Sequence, residues 1–416
     1  MPRLTILFLT ALLALPATAQ TGRPEMLDDD HIMPHETQTL QLKVDNMFFF
    51  KDNEYDGHVQ KGYSLPGVWI RPRLTYQPTR RLRLEVGLHA LAYHGANKYP
   101  NYAYQDIGTW KGAQYQRGAH VLPFLRAQLK LKHADLVFGD IYGQSNHRLV
   151  TPLYDPELDL TSDPEAGFQV IVRKPHTRFD LWINWQSYQF ETDTHQEVFT
   201  LGLSDIVYYN TPSSRLHVYS PIQLLGQHRG GEQDTIAGNS VQTLVNGAVG
   251  VGLKWNTRRR VLRSMGLEAD VVGSYQQSGK LWPHDTGIGI FARASVQLSD
   301  FGLHAGYFYG HRFVSLYGNS FFSTLSTKTP GTEFIDPQTA FLTADYARTF
   351  ARHYTLGFSF NYYYTDSRPM RSAGGEVSLS KARSAFSAGV YFKASPSFVL
   401  KRFGAHRHHR PRITEN

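Results

Sequence analysis

Residues 286–298 read Thr-Gly-Ile-Gly-Ile-Phe-Ala-Arg-Ala-Ser-Val-Gln-Leu. Ile288, Ile290, Ala292, Ala294, Val296 and Leu298 fall on one parity, and Gly287, Gly289, Phe291, Arg293, Ser295 and Gln297 on the other. Side chains on a strand alternate between faces, so this stretch is a strand with one oily and one polar side. The split recurs in 353–365, where Tyr354, Leu356, Phe358, Phe360, Tyr362 and Tyr364 oppose Thr355, Gly357, Ser359, Asn361, Tyr363 and Thr365. Leu82, Leu84, Val86 and Leu88 oppose Arg83, Glu85 and Gly87, and Leu125, Ala127, Leu129 and Leu131 oppose Arg126, Gln128, Lys130 and Lys132.

A soluble sandwich would turn the oily face to a core, and a membrane barrel would turn it to lipid. Length and ends favour the barrel. The segments run about 10 to 15 residues against the ~5 to 6 of soluble strands. Many end in aromatics such as Phe48-Phe49-Phe50, Tyr208-Tyr209, Trp255 and Tyr275, where interfacial girdles would lie. Gly247, Gly250 and Gly252 add small residues where curvature or close approach is expected. The fold expected is an all-β, transmembrane, antiparallel up-and-down β-barrel of about 16 strands, within a range of 14 to 18. Strands are placed at 37–50, 63–77, 81–94, 120–132, 134–142, 166–174, 177–190, 197–208, 214–226, 240–256, 264–277, 285–298, 301–312, 338–349, 353–365 and 384–393, with 374–382 as a possible addition. Long connections (95–119, 143–165, 227–239, 313–337) alternate with short ones such as 78–80 and 299–300, the asymmetry of outer loops and periplasmic turns.

The N-terminus carries an address. Arg3, the apolar run Leu4–Leu15 and Ala17-Thr18-Ala19 predict a removed signal peptide over 1–19, since the run is too short to span a membrane. A flexible lead-in at 20–36, a barrel at 37–403 and a basic periplasmic tail at 404–416 follow. The chain has no Cys, which removes disulfides, thiolate metal sites and thiol nucleophiles. Its 43 basic against 35 acidic residues leave +8, without the basic helix stripe that nucleic acid would call for.

The stretches Pro152–Leu158, Trp182–Trp185, His195–Phe199 and Gln227–Glu232, with the signal and the alternating strands, resemble a porin-like outer-membrane β-barrel family of Bacteroidota. The resemblance implies the barrel and its location in the cell outer membrane and implies no activity. One departure is that Phe403 is followed by the tail Gly404–Asn416 instead of closing the chain.

Parity places Lys43, Arg83, Arg126, Lys130, Arg173, Lys254, Arg293 and Arg312 in the lumen against Asp45, Glu85, Asp180, Glu268 and Asp270. Such a set either rings an aqueous pore or pairs internally to fill a closed barrel. His195, Glu197, Gln227, His228, Arg229 and Glu232 fall at outer strand ends, as a solute clamp or as a self-satisfied rim network. Asp155, Glu157, Asp159 and Asp163 suit Ca²⁺ by composition but lack the EF-hand positions, and a structural loop is the plainer reading. Ser145, Asn146 and His147 would put a hydroxyl and an imidazole on one strand face, as a hydrolase needs, with no orienting acid fixed by spacing. His406, His408 and His409 among arginines read as a solvated tail. Loop 95–119, with Tyr99, Tyr102, Tyr104, Trp110 and Tyr115, suits sugar stacking or protein contact.

The expected function is a porin or channel for small hydrophilic solutes, anions preferred, with no catalytic residues, metal or cofactor. The alternative is a non-channel outer-membrane protein: a receptor, an assembly partner or a lipid-acting hydrolase. Expected partners are outer-membrane lipid and lipopolysaccharide, together with the solutes. Mass spectrometry of outer-membrane fractions is expected to find the mature chain beginning near Gln20, and an intact Met1 would contradict the signal assignment.

Overall fold

The computed structural model describes residues 31–95, 116–189, 195–231 and 240–403. The signal, most of the lead-in, the tail, most of loop 95–119, and Glu232 lie outside the described residues. The rest is a closed antiparallel barrel of sixteen strands in which each strand pairs with its chain neighbours. The order runs from Thr39–Tyr55 and Tyr63–Gln77 through Leu82–Gly95, Gln116–Lys130, Asp135–Asp140, Ala166–Lys174 and Thr177–Ser187 to Val198–Tyr208. It continues with Leu216–Arg229, Gln242–Asn256, Leu262–Ser278, Thr286–Leu298, Phe301–His311, Gln338–Phe350, Tyr354–Thr365 and Arg383–Ala394.

Closure falls on the first strand. Its outer part, Asn46–Tyr55, pairs with Arg383–Ala394, and its periplasmic part, Thr39–Lys43, pairs with Ser397–Arg402, a continuation of the last strand. That continuation extends beyond the expected limit of 393. Between the two, Ser395 N donates to His353 O at 2.8 Å and Val44 N to Pro396 O at 3.0 Å, so the interruption leaves these amides bonded. Phe403 ends the strand against Tyr76, ring centroids 5.4 Å apart.

The expected parity holds. Ile290 is 51% exposed on the outer face, while Phe291 beside it is 1% exposed inside. Leu88, Leu125, Val249 and Phe358 continue the apolar band that faces lipid in the outer membrane. Gly250 and Gly252 face inward beneath Asp270 and Tyr219, where a Cβ would come within 2.0 and 2.2 Å of those side chains. Close approach of wall side chains, more than of a plug, is what these glycines allow.

Two expectations change. The 374–382 segment adds no wall strand: Val377–Ser380 joins Arg368–Arg371 and Glu333–Phe334 in a separate three-stranded sheet. Arg312 is not a lumen residue, because the strand ends at His311 and Arg312 turns out to solvent with φ at 55°.

The interior is occupied. Residues 141–165 and 313–337 both fold into the lumen, burying Leu149, Leu153 and Leu158 from one and Phe313, Phe321 and Phe322 from the other. Phe322 packs on Phe291, Phe308 and Phe341 of the wall with ring centroids 5.2 to 5.5 Å apart. Ile290→Arg is expected to cost about 2 to 4 kcal/mol in vesicle unfolding, as a charge on a lipid face does. Arg293→Ile should cost less, because Glu268 keeps its 2.6 Å bond from Tyr219; equal losses would mean a register shifted by one.

Candidate functional site

The two inward loops meet as a pair. Asp155 N donates to Tyr317 O at 2.8 Å, Asn319 N to Thr151 O at 3.2 Å and Ser315 Oγ to Pro152 O at 2.6 Å. Buried wall amides dock them. Asn246 donates to Val314 O at 2.8 Å and accepts from Leu316 N at 2.7 Å, while Gln223 accepts from Val150 N at 2.8 Å and donates to Arg148 O at 3.0 Å.

Where this pair meets the first two strands, ionisable groups converge. Asp155 caps the short turn Pro156–Leu160 by accepting from Glu157 N at 3.0 Å, and the turn aims Glu157 at the wall. Glu157 then accepts from Lys51 Nζ and from Tyr63 OH. Asn319 donates to the other Asp155 oxygen at 2.9 Å and also contacts Tyr363 OH at 3.2 Å. Asn53, 1% exposed, accepts from Tyr55 OH at 2.9 Å, and its buried amide nitrogen has no hydrogen-bond partner.

The depth of this cluster is set by the opposite parity. Outward residues of the first strand change from Phe50 to Asp52 on either side of Lys51, and Asp52 accepts from Ser64 at 2.6 Å. The cluster therefore lies level with the outer edge of the apolar band. Burial pushes the Asp155 carboxyl upward, and the charge of Glu157 adds to it. Asp159, receiving Ser145 N at 3.2 Å and Tyr154 OH at 2.8 Å, is pushed up by burial to about 6. Carboxyls poised near neutrality inside a fold are candidates for proton transfer.

A second cluster anchors the flank of the same loop. His147 stacks on Trp182 at 3.5 Å, with Nδ1 2.8 Å from Asp180 and Nε2 3.2 Å from Glu165. Burial opposes its charge, but Glu165 and then Asp180 raise its pKa to about 9. An imidazolium bonded through both nitrogens is no base for Ser145. The Ser145–His147 arrangement weighed for the hydrolase alternative does not form, because 144–147 is a 3₁₀ turn and not a strand.

Several of the charges expected in the lumen pair inside the barrel. Arg83 donates to Gln128 at 2.7 Å, to His31 O at 3.0 Å and to Tyr142 OH. Glu85 accepts from Arg73 at 3.2 Å and Arg126 at 3.3 Å; Arg73 also holds Asp45, Arg173 holds Asp135 at 3.0 Å, and Arg293 holds Glu268 at 2.6 Å. Lys43 lies 3.9 Å from Glu36. Lys254 is half-buried, Asp270 is buried beside Glu268, and Lys130 is exposed at the periplasmic end. This network forms a floor and not a ring around open water.

The described residues of the outer rim make local contacts. His195 bonds Tyr188 O at 2.8 Å, Glu197 accepts from Trp185 Nε1 at 2.9 Å, and His228 lies 3.0 Å from Thr243 Oγ1. Gln227 instead faces inward and donates to Tyr317 OH at 2.6 Å, while Arg229 is half-buried at the end of its strand. Of the four acids considered for Ca²⁺, Asp155, Glu157 and Asp159 have the partners given above, and no group of three or more metal-ligating side chains forms among the described residues. Lys51, Tyr63 and Asn319 were not singled out from sequence. Lys51 could have been, as the one cation on the inward parity of the first strand's outer half, among Met47, Phe49, Asn53 and Tyr55.

A lipid-facing barrel closed by inward loops, with buried ionisable groups at the outer interface, defines an outer-membrane protein with an internal polar site. The chain belongs to the lipid A 3'-O-deacylase-type family, whose model matches residues 32–403. That membership overturns the expectation that the chain is not an enzyme, since the family is described by an enzymatic activity. No curated protein matches the chain. Solved structures similar to it include Acinetobacter baumannii OccAB3, at 11% identity and TM-score 0.43 over 86% of this chain and 99% of that one. Pseudomonas aeruginosa OpdK with vanillate matches at 11% and 0.45 over 87% and 100%, and the Vibrio cholerae outer membrane protein OmpT at 12% and 0.42 over 86% and 99%. Likeness at this level carries no argument about activity.

The His147 clamp sets a pH response. Because its pKa is raised on folding, its contribution, on the order of 3 kcal/mol, is fully present below pH 6.5 and is lost as pH rises through about 9. Hydrogen exchange across 141–165 should accelerate over that window and become flat there in His147→Gln.

Proposed function

We propose that the chain hydrolyses an acyl ester of a lipid A-type glycolipid from the outer leaflet. The family match over 32–403 carries this reading, and the cluster at the outer interface supplies groups suited to it. Asp155, with its raised pKa, is the candidate to take a proton from water as the oxygen adds to the ester carbonyl carbon. Lys51 Nζ and Tyr63 OH, which rest on Glu157, are the candidates to face the developing oxyanion. Collapse breaks the ester C–O bond and returns the proton to the sugar alkoxide, leaving a fatty acid and an alcohol.

A channel for hydrophilic solutes would require 141–165 and 313–337 to leave the lumen together, with the loss of the contacts that bind them to each other and to the wall. Purified protein incubated with lipid A should release one fatty acid per glycolipid by mass spectrometry. Asp155→Asn should slow this by about 10²- to 10⁴-fold, the range of a general base. Activity should rise with pH through the elevated Asp155 pKa. Stepwise conductance in planar bilayers without acyl release would overturn the reading in favour of the channel.

A further inference from the structure

The barrel wall has unequal height. Strands Asp135–Asp140 and Ala166–Lys174 have 6 and 9 residues, against 14 to 17 for the four strands from Thr39 to Lys130. The ladder joining Gln116–Lys130 to its successor stops at Arg126, opposite Gly139. The strand above it continues outward for ten residues along Leu82–Gly95 alone. On the far side, Asn184 opposite Gly167 ends the pairing, while Thr177–Ser187 runs on with Val198–Tyr208. The wall is therefore notched through its outer half.

The notch is built into the chain. Gly139 has φ at +83°, a conformation that turns the chain out of the wall, and a Cβ there would lie 2.2 Å from Leu125 O. Its partner Gly167 is equally constrained, with a Cβ 2.1 Å from Ile183 O. Backbone groups that a taller sheet would pair are met by side chains. Asp140 accepts from Leu125 N at 2.5 Å, Gln169 from Tyr142 N at 2.9 Å and Asn184 from Ala166 N at 3.0 Å, while Arg126 donates to Ile141 O at 3.0 Å. Irregular backbone is tolerated at membrane depth only where it is buried in protein or lines a cavity.

The frame of the notch is apolar on its lipid side. Val121 and Leu125 are exposed on one edge, Phe138 and Phe168 pack at 4.8 Å along the base, and Tyr188 stacks on Trp185 at 5.6 Å on the other edge. Behind it lies a small polar cavity bounded by Gln144, Asp159 and Glu165 and, across the lumen, by Trp69, Arg71 and His89. The segment backing the notch is the one that carries Asp155 and Glu157.

We propose that this notch is a lateral binding site for one acyl chain of an outer-leaflet lipid, which lies against the barrel side-on where the described strands stop short. The occupant follows from position: the frame continues the lipid-facing band at hydrocarbon depth, where the neighbouring molecules are acyl chains. The site gives the proposed hydrolase an approach from the membrane plane, and to that extent rests on that reading; its occupancy does not depend on turnover.

The test uses the full chain in phosphatidylethanolamine vesicles containing an ether-linked phospholipid with a diazirine at mid-chain, which cannot be hydrolysed. After irradiation, peptide mass spectrometry is expected to find adducts within 141–144 and 162–168 as well as on outward residues such as Val249, Ile290 and Phe358. In Val121→Arg, adducts at 141–144 and 162–168 should be lost while those at Ile290 persist. Adducts confined to the outward band of the unmodified protein would overturn the proposal. So would protection of the notch by cross-links between two copies. Labelling of the notch without fatty-acid release from lipid A would retain the site and remove the hydrolase.

Discussion

A wall immersed in lipid has no water to satisfy its backbone, and this constraint organises the protein. Fifteen of the sixteen seams meet the constraint by pairing neighbouring strands directly, and the closing seam does so in two pieces on the first strand. Where Asp135–Asp140 and Ala166–Lys174 stop short, side chains of Asp140, Gln169, Asn184 and Arg126 take over the exposed amides and carbonyls. The inward course of 141–165 follows: a chain leaving the wall at that depth must find polar partners, and the lumen is where they lie.

The plug is then a consequence as much as a device. Its backbone groups are met by buried wall amides, Asn246 and Gln223, and by the second loop, 313–337. Its apolar residues form a core with Phe291, Phe308 and Phe341 that a water-filled barrel would lack. Such packing is hard to reconcile with a permanently open pore and suits a protein whose interior holds groups in fixed geometry.

Much of the wall was legible because lipid outside and protein inside impose a period of two. Ile290 and Phe291, or Leu84 and Glu85, could be sorted by parity alone, and the inward charges with them. Parity also failed where a strand ended one residue early, as at Arg312. The site was not legible for a different reason. Lys51 and Glu157 lie 106 residues apart, and Asp155 and Asn319 come from separate loops without periodicity, so nothing local announces that they meet. The hydrolase alternative for Ser145 and His147 assumed strand alternation where the chain forms a 3₁₀ turn, and the paired glycines at 139 and 167 that end the wall read as ordinary strand residues.

The inward charges divide into two populations with different electrostatics. On the floor, each of Asp45, Glu85, Asp135 and Glu268 has an arginine within bonding distance, and Glu85 has two. Each of these carboxylates is thereby met by a permanently charged partner. At the outer interface, Asp155 and Glu157 share the single cation Lys51, and the remaining donors, Tyr63 and Asn319, are neutral. Burial and the neighbouring charge of Glu157 both push the Asp155 carboxyl upward, with one cation beside the pair among the described residues. A fold that had only to stay closed would gain nothing from that imbalance. The imbalance sits at the outer edge of the apolar band, in a chain whose family is described by an enzymatic activity.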